Sequence, residues 1–411
     1  MKSCALNASS IGLPVAALAL AGGWGFWQFQ ELSLVRQEQR ELEQRLVLKT
    51  TRPSRAIVRD GGGKEGAEIS WRAFRGNNEA AQRLALAGFR ERLAKMGRDE
   101  MEATLDEMAG LNFDPSLRNQ LDALVLGRLL LIDPEKALNH HAARVGDASD
   151  PLAFLFVQAL GRWARLQPQA AEAWLEKLLA EGKLESKSLE PRSEMQLLYE
   201  GVLLEILIDT DLGVARKRFT ALPESQRLDV FQKVSIEGQS LAGRTALALF
   251  AREYLPVGEQ AGAFGHIGQD LVGNGFPELS EFLEGISASP TERQASVKVA
   301  AITWMELKGI RDGVTKNEVD RLRGWLVREA PGMVDQIAGK ALAEAAQVSG
   351  RFGFSEAANL VLAYHRVSAN DDLLVSFLEG YSARSNLEEA RHLASRIRDP
   401  QLQDAILNQW K

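Results

Sequence analysis

Two stretches of this chain read alike, and their separation constrains the fold more than any other feature. The first contains Leu126, Gly127 and Arg128, then Ile132, Pro134 and Ala137. The second contains Leu160, Gly161 and Arg162, then Leu166, Pro168 and Ala171. Each places an aliphatic residue four after the arginine, a proline six after it and an alanine nine after it, at an offset of 34 residues. Asp114-Pro115 and Asp150-Pro151 form a second echo, offset by 36. A period of this size is the length of a helix–turn–helix unit. One such unit cannot bury its own apolar face and must stack on its neighbours.

The prolines punctuate the same pattern. Of 13 prolines, all but Pro14 and Pro53 lie beyond residue 110. Proline lacks a backbone N–H, and its fixed φ suits the first helical turn, where that donor has no partner anyway. Most of these prolines open a segment with helical spacing. Pro151 leads into Leu152, Leu155, Phe156, Ala159, Leu160 and Trp163, which share one face. Pro168 leads into Ala171, Trp174, Leu175, Leu178 and Leu179 and stops at Glu181-Gly182. Helices are expected over Glu79–Met96, Asp99–Gly110, Pro115–Ile132, Pro134–Val145, Pro151–Leu166, Pro168–Ala180, Pro191–Ile208, Leu212–Leu222, Pro223–Ile236 and Ser240–Leu255. No alternating β-branched run flanked by tight-turn residues occurs.

The chain resembles the broad class of tetratricopeptide-like and HEAT-like α-solenoids. Leu160-Gly161 fits the tetratricopeptide pattern, and Ala173 and Ala180 fit it loosely. Ala164 and Glu185 stand where that pattern has an aromatic residue and a proline. The chain is also similar to single-anchor helical-repeat proteins of bacteria, which carry no assigned function. The resemblance implies an all-α fold, a right-handed α-solenoid of stacked helical hairpins over residues 78–411, with an N-terminal transmembrane helix.

Charge is unevenly distributed. Residues 1–100 hold 16 Lys and Arg against 11 Asp and Glu, whereas the rest hold 33 against 44. An acidic body argues against nucleic acid as a partner, and a basic start suits an anionic membrane surface. The single cysteine, Cys4, excludes an intramolecular disulfide and a cysteine-based metal site.

Residues 1–10 form a short tail. Residues 11–29 are an uncharged run, close to the minimum length that spans a bilayer, with Trp24, Phe26, Trp27 and Phe29 gathered at its end. A membrane anchor is the main reading. A signal peptide cleaved near Ala19-Leu20-Ala21 and a buried helix are the alternatives. The expected location is the inner membrane, single-pass. Counting Lys2 against Arg36, Arg40, Arg45 and Lys49 favours a cytoplasmic body, whereas short bacterial signal-anchors favour an exported one. The reading leans to the extracytoplasmic side.

Residues 30–50 space Leu32, Val35, Gln39, Leu42 and Leu46 by three or four. This is the pattern of a short coiled coil that would pair two copies, or of a single juxtamembrane helix. Residues 51–77 read as a flexible linker. Its Gly63-Lys64 is followed by Glu65, not Ser or Thr, so it makes no phosphate-binding loop.

Chemistry is sparse. His140 and His141 are adjacent on a helix and point about 100° apart, unlike an i, i+4 metal pair. Gly258, Gly262, Gly265 and Gly268 share a helical face beside His266, as tight helix packing or a ligand-contacting strip would require. Trp71, Trp163, Trp174, Trp304, Trp325 and Trp410 sit mostly in apolar stripes and are expected in the core. Glu185-Ser186 resembles the Glu-Ser of lytic transglycosylases, but the rest of that motif is missing. No residue is assigned as catalytic, cofactor-binding or metal-ligating.

The expected function is therefore a membrane-tethered helical-repeat scaffold for protein–protein interaction. An envelope enzyme acting on glycan or peptide through carboxylates in the solenoid groove is the alternative.

Overall fold

The computed structural model describes residues 69, 71–74, 79–185, 193–236, 238–348, 352–368 and 370–410. The membrane run at 11–29, the coiled-coil reading at 30–50 and all of the linker up to residue 68 lie outside them. Two compact units divide the chain, residues 1–69 and 70–411. The second holds all the helices that follow.

Among the described residues it holds twenty α-helices and no strand. They are α1 (Glu79–Leu93), α2 (Arg98–Ala109), α3 (Pro115–Ile132), α4 (Pro134–His140), α5 (Ala153–Leu166), α6 (Pro168–Ala180), α7 (Glu194–Thr210), α8 (Leu212–Ala221), α9 (Glu224–Phe231) and α10 (Leu241–Tyr254). There follow α11 (Val257–Leu271), α12 (Phe276–Gly285), α13 (Pro290–Arg311), α14 (Lys316–Glu329), α15 (Val334–Val348), α16 (Phe354–His365), α17 (Asp372–Leu378), α18 (Tyr381–Ser385), α19 (Leu387–Ala394) and α20 (Pro400–Asn408).

The helix starts follow from proline and aspartate. Pro115, Pro134, Pro168, Pro290 and Pro400 each head a helix. Asp114, Asp133 and Asp399 accept the free N–H groups just inside, so the Asp-Pro pairs work as capping devices. Asp150-Pro151 behaves differently. Asp150 accepts from Leu152 N in a turn, and α5 starts two residues later than its proline. Helix α4 also ends at His140 rather than Val145, because the chain turns there. An added Cβ at Gly146 would come within 2.1 Å of the Lys183 carbonyl oxygen. Arg144 reaches from that turn to Asp150 at 2.7 Å and Asp122 at 3.1 Å.

Alternate helices pack on one another. Helix α1 packs on α3, α3 on α5, and so on through α7, α9, α11, α13 and α15 to α17. The intervening helices pack on their sequence neighbours. The 34-residue period reappears as hydrogen bonds between positions that far apart. Arg128 donates to the Ala94 carbonyl, Lys136 to Glu102, Ile236 N to Asp270, Arg252 to the Ile286 carbonyl and Ser355 to Glu389. Each unit is thereby tied to the next by polar bonds as well as by apolar burial.

The core runs along this row. Leu126, Leu129, Phe156, Leu160, Leu203, Phe231, Phe264, Ile267, Trp325, Leu342 and Phe377 are buried. Trp71, Trp163, Trp174 and Trp304 are buried too. A 3₁₀ turn at Trp71–Phe74 adds Trp71 and Phe74 to Phe89 and Phe113, so an aromatic cluster closes the first repeat seven residues before the helical periodicity begins at 78.

Candidate functional site

The glycine strip of α11 is a packing device. An added Cβ at Gly268 would lie 2.2 Å from the Ser296 carbonyl oxygen, and one at Gly265 would lie 3.0 Å from Val299. Backbone therefore meets backbone between α11 and α13. Gly262 faces Leu228, and Gly258 faces open space. His266 Nε2 lies 2.8 Å from the Val234 carbonyl oxygen. The strip closes a seam, and His266 is engaged with the chain itself.

On α13 the half-buried residues Val299, Ile302, Glu306 and Ile310 recur every three or four positions, so they share one face. On α15, Gln336, Lys340, Glu344 and Gln347 do the same with greater exposure. Gln294 of α13 contacts Met333, just ahead of α15. Further along, Glu306 of α13 lies near enough to Glu344 of α15 for the two carboxyl groups to interact. Burial first, and the neighbouring Glu344 second, push the Glu306 carboxyl up to about 7. This strip joins three apolar side chains to a carboxyl group that keeps its proton near neutrality, with a second carboxyl group, Glu344, close enough to act on it. A carboxyl that holds its proton near neutrality can donate it to a bound group.

Three other polar clusters stand apart from it. Arg218, on α8, pairs bidentately with the buried Glu200 of α7 at 2.8 and 3.0 Å and also reaches Glu172 and Glu176 of α6. Burial pushes Glu200 up, against the pull of Arg218. His141 is buried beside Phe156, with its Nε2 unpartnered, and burial and His140 lower it to about 4. His140 is exposed. His365 donates to Asp371 at 2.7 Å, both side chains being buried.

Among the described residues no group of three or more His, Cys, Asp or Glu side chains is placed to hold a metal ion. No helix among them is long and apolar enough to cross a membrane. Glu185 is placed at the end of a turn with its carboxylate near Gly182, and Ser186 lies outside the described residues. Neither Glu306 nor Glu344 was marked by any sequence motif. The one signal available was a glutamate within the apolar face of a long helix.

No family model matches the chain, and no curated protein or solved structure is similar to it.

Proposed function

We propose that the chain is a membrane-tethered, right-handed α-solenoid that serves as a scaffold for protein partners. The observation that carries this reading is the row of alternate helices tied to one another at 34-residue intervals. Stacked repeats of that kind offer an extended surface and a rigid frame for it. The half-buried strip of Val299, Ile302, Glu306 and Ile310 is the part of that surface with both apolar area and a functional group to offer. Residues 11–29 would hold the body at the inner membrane, on its extracytoplasmic side, and residues 30–50 would bring two copies together, raising the local concentration of partners.

Photocrosslinking tests it. A crosslinker at Ile302 or Lys340 should trap a discrete partner adduct in cells, and one at Val327, 58% exposed on α14, should not. Equal labelling from all three positions, or none, would sink the scaffold reading. A reporter active only outside the cytoplasm, fused after Lys411, tests the side of the membrane: an inactive reporter on a membrane-bound product reverses the assignment.

A second reading rests on the Glu306–Glu344 pair. A carboxyl that keeps its proton near neutrality, with a second carboxyl group nearby, is the kind of pair that serves as general acid and base in glycan or peptide hydrolysis. The full-length protein would then cleave envelope glycan or peptide with a pH profile that vanishes in both E306Q and E344Q. Residual cleavage with an unchanged profile in either variant removes the enzyme reading.

A further inference from the structure

Helix α20 is the last of the described helices, and little of it is buried. Of its nine residues only Ile406 is buried, and it packs mainly on α17 and α19. By contrast, Leu373, Leu374, Phe377 and Leu378 of α17 are fully buried.

Polar bonds hold α20, and they converge on one carboxylate. Asp371 Oδ2 accepts from Arg398 N at 2.8 Å and from Asp399 N at 3.0 Å, the two residues that lead into the helix. Asp371 Oδ1 accepts from His365. The Arg398 guanidinium donates in turn to the carbonyls of His365 at 2.8 Å and Ser368 at 3.0 Å. Gln403 adds a bond to the Ala394 carbonyl. Burial works against the charge on Asp371, but the His365 bond and the two backbone N–H groups outweigh it and hold the carboxyl below its ordinary range.

A helix with little apolar burial and a concentrated polar attachment has a low local opening free energy, set by that attachment. We propose that α20 is a latched helix, with Asp371 as the latch, and that it opens as one unit while α13 to α15 stay folded. Opening uncovers the faces of α17 and α19 that α20 covers.

Hydrogen exchange on the full chain tests it. In D371A, amides of residues 400–410 should exchange faster by on the order of tenfold, since bonds to a charged acceptor are lost. Amides of α13 to α15 should be unchanged. D371N keeps one oxygen able to accept the two N–H groups and should fall between wild type and D371A. Unchanged exchange at 400–410 in D371A overturns the latch. So does acceleration that spreads through α13 to α15, which would make Asp371 a general support of the core. A chain lacking 400–411 gives a second check. It should unfold at the wild-type urea midpoint, and loss of a cooperative transition would show that α20 is integral to the row.

Discussion

Glu306 shows how much a single carboxyl can say about the field around it. In the unfolded chain it titrates near its ordinary 4.5, and in the fold near 7. Between those values the folded state keeps a proton that the unfolded chain has lost. Stability should therefore fall as pH rises from about 4.5 through 7, by at most roughly 3 kcal/mol. Urea midpoints of wild type should show this slope and those of E306Q should lose it; an equal slope in both would remove Glu306 as its source. Arg218 gives the opposite lesson. Replacing it by Ala leaves Glu200 buried without its partner, at a cost of about 3 to 5 kcal/mol. R218A/E200Q should recover most of that loss in the same measurement. Neither role was visible in the sequence, because a glutamate in a helical run looks the same whether its neighbour is water, a second carboxylate or a guanidinium.

At the scale of the element, the glycines of α11 divide into two kinds. At Gly268 any side chain meets the Ser296 carbonyl, so G268A must push α11 away from α13 and should cost roughly 1 to 3 kcal/mol. At Gly258 nothing lies within 4 Å, and G258A should be neutral or stabilise by up to about 1 kcal/mol through helix propensity. Thermal unfolding of the two variants separates them, and similar effects would refute backbone-to-backbone packing of this seam. The shared face of the four glycines was legible from their spacing. Which of them faced a neighbour was not, because that depends on where α13 crosses. Helix starts were the most legible features of all: Pro115, Pro134 and Pro168 begin their helices as the sequence implied. The premature end of α4 was not legible, since it depends on Arg144 finding Asp122 and Asp150 in space.

For the whole molecule, packing is uneven along the row. From α11 to α17 the helices approach through small residues, with an added Cβ at Gly268 or Gly339 striking the backbone of the next helix in the row. At the other end α1 leaves Leu84 76% exposed. Because these helices pack chiefly on helices near them in sequence, stability should vary along the chain, and α11 to α17 should exchange their amides more slowly than α1 to α4. Uniform protection by hydrogen-exchange mass spectrometry would contradict this. The sequence by itself determined that the chain is helical, that its units recur at 34 residues and where many of them begin, because period, proline and capping aspartate act over a few neighbouring residues. Only the tertiary structure decided which glycines close a seam, which carboxyls face each other and what holds the last helix. Those outcomes depend on crossing and register between helices some thirty to forty residues apart, and no local pattern encodes them.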